Sequence, residues 1–287
     1  MTRRIGIVIG TRPEAIKMAP VVQALSREAA RAESVVCVTA QHRGMLDQVL
    51  AVFGITPDID LDLMRPDQNT GDLGAAAFTA LNGVLDRVQP DVVLVQGDTT
   101  TATIAALASF YRRIPVGHIE AGLRTGDPEH PFREEINRRL ADVVSRFRFA
   151  PTPSAARALR AEHHPPRSII TTGNTVVDAL RHVLARPLLA PLPVDPREPY
   201  ILVTCHRREL FGTPLMRVCN ALATIARRRP DHTLVFPVHP NPNVQRVVRE
   251  RLGAVAGIRL VDPLPYDAFV HLMAGARLIV TDSGGIQ

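Results

Sequence analysis

The chain has 287 residues, 46% of them hydrophobic and 22% charged, a balance that supports a sizeable buried core and excludes disorder. No apolar run reaches the roughly 18–20 residues a bilayer crossing needs, and the opening MTRRIGIVIGTRPE is too short in apolar residues for a secretion signal, so a cytoplasmic protein with no membrane partner is expected. The net charge of +6 comes from arginines scattered along most segments, without a basic tail or a nucleic-acid motif, so nucleic acid is not an expected partner.

Short β-branched runs alternate with longer helical patterns. Strands are predicted at residues 4–9, 35–39, 91–96, 116–119, 147–150 and 169–172, with helices at 13–30, 45–53, 74–88, 102–111, 134–144, 155–162 and 176–185. Near-continuous apolar strands such as DVVLVQG fit a parallel sheet covered on both faces by helices. The stretch ARPLLAPLPVDPREP (185–199) then carries five prolines, which remove backbone donors and fix φ, and it reads as a linker. Beyond it the alternation restarts, with strands at 200–205, 233–237, 259–261 and 278–281 and helices at 214–229, 244–252 and 266–274.

The expected fold is therefore α/β, with two Rossmann-like doubly wound domains: residues 1–187, a proline-rich linker 188–199, and residues 200–287. A ligand is expected in the cleft where their strand C-termini meet. The last strand runs into a Ser-Gly-Gly turn that should open a helix whose amides face an anion, but the sequence stops within that first turn, so the second domain is expected to be incomplete.

Three cysteines, Cys37, Cys205 and Cys219, form no CxxC and are expected to stay reduced. His118, His206 and His239 fall on separate strands and His163-His164 in a proline-rich turn, without metal-ligand spacing, so no metal is expected. Neither GxGxxG nor GxxxxGK[ST] is present, which disfavours a dinucleotide cofactor and a P-loop; no cofactor is expected.

Four polar clusters fall at predicted strand C-termini. The first is Gly10-Thr11-Arg12-Pro13-Glu14-Ala15-Ile16-Lys17, a glycine turn leading into a helix, where amides, Arg12 and Lys17 could meet phosphate or could form an ordinary turn with solvated cations. Lys17 is the sole lysine of the chain. The second is Gln96-Gly97-Asp98-Thr99, in which Asp98 is either a helix N-cap or a working carboxylate. The third, His118-Ile119-Glu120-Ala121-Gly122-Leu123-Arg124-Thr125, precedes a helix start in which Glu134/Arg138 and Glu135/Arg139 are i,i+4 pairs. Glu120 ends an apolar strand and enters a glycine-containing loop, where partial desolvation favours acid–base use. The fourth gathers Thr204-Cys205-His206-Arg207-Arg208-Glu209, Pro237-Val238-His239-Pro240-Asn241-Pro242 and Asp282-Ser283-Gly284-Gly285, whose imidazoles, cations and glycines suit a diphosphate.

These segments resemble the non-hydrolysing UDP-N-acetylglucosamine 2-epimerases, which interconvert UDP-N-acetylglucosamine and UDP-N-acetylmannosamine. The resemblance runs from GTRPEAIKMAPV (10–21) through TAQHRGMLDQVL (39–50), QGDTTTA (96–102), HIEAGLRTGD (118–127), PFREEINRRLAD (131–142), TGNTVVDAL (172–180), TCHRRELFG (204–212) and PVHPNPNV (237–244) to TDSGGIQ (281–287). It implies a GT-B arrangement and a homodimer. It also implies that Asp98, Glu120 and Glu134 are the carboxylate candidates, His206 a further catalytic residue and Arg138 an active-site support. Arg12, Lys17, Ser283, Gly284 and Gly285 match its UDP-binding pattern, His239 lies in a ligand-binding segment, and Gln41, Gln68, Arg207 and His239 are candidates for an activator site. The family continues past DSGGIQ with further strands and a helix, so the resemblance implies a shortened chain.

The chemistry this implies is specific. A hydrogen on C2 of a pyranose has no adjacent carbonyl to acidify it, and with no nicotinamide fingerprint the remaining route is elimination of UDP to 2-acetamidoglucal followed by re-addition. A GT-B glycosyltransferase and a non-catalytic sugar-nucleotide-binding fragment are the competing readings.

Overall fold

Seven strands, every pairing parallel, form the sheet of the first unit in the order β3-β2-β1-β4-β5-β6-β7. In chain order its elements are β1 (Arg3–Ile9), α1 (Arg12–Arg27), β2 (Ala32–Val38), α2 (Arg43–Phe53), β3 (Ile59–Asp60), α3 (Thr70–Val88) and β4 (Val92–Gln96). They continue with α4 (Thr100–Tyr111), β5 (Val116–Ile119), α5 (Glu134–Val144), β6 (Phe147–Ala150), α6 (Pro153–Ala161), β7 (Ile169–Thr171) and α7 (Thr175–Leu184). The protein, a computed structural model, is described over residues 2–39, 43–65, 67–188, 190–205, 212–283 and 286. It divides into two units, Met1–Arg181 and His182–Gln287.

The direction of winding reverses between β1 and β4, which makes their C-terminal ends the expected ligand position of an open parallel sheet. β1 is exposed where it begins and buried where it ends, and β5 is buried throughout. α4, TTATIAALASFY, carries buried alanines on more than one side because it is flanked by α3 and α5; a helix between two others loses its polar face. Two elements differ from the sequence expectation. β3 is a two-residue strand with no alternation to betray it, and α3 begins at Thr70, where Asn69 caps it by accepting from the Asp72 amide at 2.9 Å.

The second unit is a four-stranded parallel sheet in the order β10-β9-β8-β11. Its elements are β8 (Tyr200–Thr204), α8 (Thr213–Arg228), β9 (Thr233–Pro237), α9 (Pro242–Leu252), β10 (Ile258–Val261), α10 (Tyr266–Gly275) and β11 (Leu278–Thr281). Val203, Cys219, Leu222, Leu234 and Phe236 lie in its core. The proline-rich stretch is partly packed: Val194 is buried against Tyr200 and Leu202, and Arg259 donates to the Pro193 carbonyl. Cys37, Cys205 and Cys219 are free and buried. Among the described residues no helix is long and apolar enough to cross a membrane.

Gly122, just past β5, has φ +84, and a Cβ there would lie 2.5 Å from the Ala155 carbonyl oxygen and 2.8 Å from Leu159. Gly126 has nearly the same φ, +83, with nothing within 4 Å of its would-be Cβ. Gly122→Ala is therefore expected to cost about 3 kcal/mol, from strain plus overlap, and Gly126→Ala about 1 kcal/mol, from strain alone. Urea denaturation of the two variants checks the difference.

Candidate active site

The polar side chains of the first unit gather at the C-terminal ends of β1, β4, β5 and β7. Glu120 is the residue directly after β5, with φ +69 and a side chain 11% exposed. Its Oε2 accepts from Lys17 Nζ at 2.5 Å and from Gln96 Nε2 at 2.5 Å, and its Oε1 accepts from Asn174 Nδ2 at 2.8 Å. Three elements deliver these donors: α1 carries Lys17, β4 ends on Gln96, and Asn174 follows β7 while also bonding the Val176 amide at 3.0 Å. A left-handed φ is unfavourable for a residue with a Cβ; here the three bonds over-determine the side chain's position.

Asp98 does not cap α4. Thr99 is the N-cap and accepts from the Ala102 amide at 3.0 Å, which leaves the Asp98 carboxylate free to meet Arg138 Nη2 at 2.5 Å. The Asp98 side chain remains 30% exposed, and its backbone carbonyl accepts from Asn137 Nδ2 at 2.9 Å. This also corrects the helical pairing expected of Glu134 and Arg138: Arg138 turns to Asp98, 40 residues away, with Glu135 Oε2 3.6 Å from its Nη1, and the Glu134 side chain has no ion pair or hydrogen bond among the described residues. The second expected pair is formed, with Arg139 Nη2 2.7 Å from Glu135 Oε1. Glu135 is fully buried and accepts from the Thr125 amide at 3.1 Å. Burial opposes its charge, yet these amides and Arg139 outweigh that and hold the carboxyl below its ordinary value.

Beneath this layer lies a network that the sequence reading left unassigned. His118 is fully buried, with Nε2 2.8 Å from the Gly97 carbonyl and Nδ1 2.7 Å from Asp142 Oδ1. Asp142 Oδ2 accepts from the Gly122 amide at 3.2 Å and from Arg124 Nη2 at 2.8 Å, and Arg124 also pairs with Glu162. Desolvation works against the Asp142 charge, but His118 and Arg124 overcome it and lower the carboxyl. One imidazole–carboxylate pair thus ties down the loop after β4, the loop after β5 and the C-terminal half of α5.

Of the other candidates in this unit, Arg12 is exposed at the start of α1, and the Gln68 side-chain oxygen accepts locally from the Arg65 amide at 3.2 Å. In the second unit the strand ends are joined by Thr204 Oγ1 donating to Thr281 Oγ1 at 2.6 Å, and the Ser283 amide donates to the same Thr281 oxygen at 2.9 Å. His239 Nδ1 accepts from the Asn241 amide at 3.2 Å. Burial, with Asp282 nearby, pushes the Cys205 thiol up to about 12, which disfavours its thiolate. Gln41, His206, Arg207, Gly284 and Gly285 lie outside the described residues.

Gln96, Asn174, His118 and Asp142 were missed as site residues. The one signal that could have found Gln96 and Asn174 is their position, a polar residue closing or just following an apolar strand. His118 and Asp142 carry no sequence signal, since an imidazole in a strand and an acid in a helix are individually ordinary.

Two parallel, doubly wound α/β units in succession are the components of a GT-B protein. Residues 23–287 match the family model described as UDP-N-acetylglucosamine 2-epimerase. The chain is 51% identical to a UDP-N-acetylglucosamine 2-epimerase of Yersinia pestis over 98% of its own length and 77% of the relative's. It is 50% identical to the enzyme of that name from Escherichia coli K12 over the same shares. Among solved structures it superposes on the UDP-GlcNAc 2-epimerase of Neisseria meningitidis bound to UDP-GlcNAc with a TM-score of 0.91, at 42% identity, covering 99% of this chain and 78% of that one. The chain belongs to the UDP-N-acetylglucosamine 2-epimerase family.

Asp142→Asn removes the charge from the buried hub while His118 and Arg124 remain, and it is expected to cost about 3 kcal/mol in chemical denaturation. Because the folded-state carboxyl is depressed, its contribution is present above the ordinary aspartate value of 3.8 and is lost as pH falls through the lower folded value. The wild-type protein should therefore lose stability more steeply in acid than Asp142→Asn, and pH-dependent unfolding curves check the sign.

Proposed function

We propose that this chain catalyses the reversible 2-epimerisation of UDP-N-acetylglucosamine to UDP-N-acetylmannosamine by elimination of UDP and re-addition. The observation that carries the reading is the pair of carboxylate–cation contacts at the sheet's C-terminal edge, Glu120 with Lys17 and Asp98 with Arg138, in a chain of this family. In the first step a base takes the C2 proton, its electron pair forms the C1–C2 double bond, and the C1–oxygen bond breaks with UDP leaving as the anion. In the second, UDP oxygen returns to C1 and a proton is delivered to the opposite face of C2. Two proton-transfer groups on two faces are required, and they are drawn from Asp98, Glu120 and Glu134. His206 assists at the leaving group and Arg138 orients Asp98.

The first unit supplies the acid–base carboxylates and the second nucleotide recognition. Arg12 and Lys17 in the one, and His239, Ser283, Gly284 and Gly285 in the other, are the proposed ligands of UDP. Gln41, Gln68 and Arg207 are proposed for an activator. A homodimer is part of the same reading: Ile136, Leu140 and Val143 form an exposed apolar stripe at helical spacing along α5, with Phe132 exposed in the turn before it and Phe110 and Tyr111 exposed at the end of α4. A continuous apolar helix face suits a twofold contact with its own copy. The buried free thiols fit a reducing, cytoplasmic setting.

In deuterated water, UDP-N-acetylglucosamine should be converted reversibly with deuterium entering at C2, as read by proton NMR. Acceptor-dependent sugar transfer without exchange would reject the scheme. Glu120→Gln should lower kcat by roughly 10²–10⁴ with the fold retained. Leu140→Glu should shift the protein from dimer to monomer in sedimentation, and an unchanged mass would remove the α5 face from the proposal.

A further inference from the structure

Glu14 is a buried carboxyl for which the scheme above has no task. It stands in the first turn of α1 and is 1% exposed. Its Oε1 accepts from Thr99 Oγ1 at 3.0 Å, while among the described residues Oε2 is buried without a hydrogen bond, as is the hydroxyl of Thr11 three residues earlier. Desolvation lifts the carboxyl to about 7, against the pull of the polar groups of Thr11, Thr99 and Gly10 around it.

The sequence T-R-P-E has the spacing of a capping box, which predicts only that Glu14 and Thr11 close the start of their own helix. The cap is not made: the Thr11 side chain bonds none of the helix's amides. Glu14 reaches instead to Thr99, whose single hydroxyl hydrogen goes to Glu14 while its oxygen accepts the Ala102 amide. The contact spans β1 and β4, the point where the winding reverses, and the residue beside Thr99 is Asp98.

The charged neighbours are all engaged or turned away. Lys17 is held by Glu120 and Asp98 by Arg138, Arg12 on the same helix is exposed, and Asp47 on α2 is exposed. The ends of β1 and β2 beneath α1 are Ile9, Val38 and the following Thr39, none of them charged. A charge on Glu14 would therefore meet no cation among the described residues.

We propose that Glu14 is a positioning residue for Asp98: as an uncharged acid its carbonyl oxygen receives Thr99 and its hydroxyl faces Thr11, so one side chain fixes the Gly10–Thr11 turn against the Asp98–Thr99 turn. Ionisation leaves a buried charge that the hydroxyls of Thr11 and Thr99 do not offset, and the turn relieves it by opening. The kinetic part of this rests on the epimerase reading; the physical part does not.

The test uses the full chain with Glu14→Gln, which keeps the neutral shape, and Glu14→Ala, which removes it. Since the folded-state carboxyl is raised, the contribution of Glu14 to wild-type stability should be full near and below pH 4.5 and should be lost as pH rises through about 7. Glu14→Gln should lack that loss. In epimerisation, wild-type kcat should drop as pH rises through about 7 with KM little changed, Glu14→Gln should keep the low-pH rate without the drop, and Glu14→Ala should lose tenfold or more at every pH. A packing role alone would not move the pH profile. Superimposable stability and rate profiles for wild type and Glu14→Gln would overturn the proposal. Should Glu14→Gln fail to fold, infrared spectroscopy of the wild-type protein decides: a protonated-carboxyl band that titrates away near pH 7 supports it, and the absence of one at pH 6 overturns it. If the wild-type chain folds yet turns over no sugar nucleotide, the stability and infrared results still judge Glu14, and the functional reading fails by itself.

Discussion

The arrangement of the first unit depends on one carboxylate being held from three sides. Glu120 leaves β5 in a left-handed backbone conformation, and the donors that meet it belong to α1, to the last residue of β4 and to the loop after β7. In sheet order β4 is the neighbour of β5, whereas β7 lies two strands further on, so the contact with Asn174 fixes loops that no strand pairing joins. A charge-assisted bond from the only lysine of the chain, together with two amide donors, converts a strained residue into a fixed point.

A second charge balance supports the first. Burying an ion pair is favourable only when geometry is good and the remaining polar atoms are satisfied, and Asp142 meets that condition with His118, Arg124 and the Gly122 amide. The consequence is positional. His118 reaches the Gly97 carbonyl, one residue before Asp98, and Asp142 holds the amide two residues after Glu120. The two carboxylates thus sit on loops pinned from below by a single pair, His118 and Asp142, whose side chains are fully buried.

Much of this was legible in the sequence, for an identifiable reason. Apolar runs ending in Gly, Asp, Glu or His mark strand C-termini, so the loops carrying Asp98 and Glu120 could be placed before any coordinates. Pairings that depend on sheet order were not legible. Asn174 follows the short strand 169–171 and reads as the start of a helix, which it also is; its bond to Glu120 requires knowing which strands lie between them. Arg138 shows the opposite error. Helical spacing assigned it to Glu134, but a partner across the sheet edge supplied a closer carboxylate, and tertiary geometry overrode a local preference worth only a few tenths of a kcal/mol. The two-residue β3 carries too little pattern to be read at all.

The same tertiary override makes the three acids unlike one another. Once Arg138 is taken by Asp98 and Lys17 by Glu120, the Glu134 side chain is left without a partner among the described residues, at the N-terminus of α5 with solvent on one side. Glu14 completes the range from the other side, since it is buried where no described cation reaches it and is held near neutrality by desolvation. Four carboxyl groups on neighbouring turns therefore differ in partner and burial: two are bound to cations, one faces solvent and one is enclosed without a cation among the described residues.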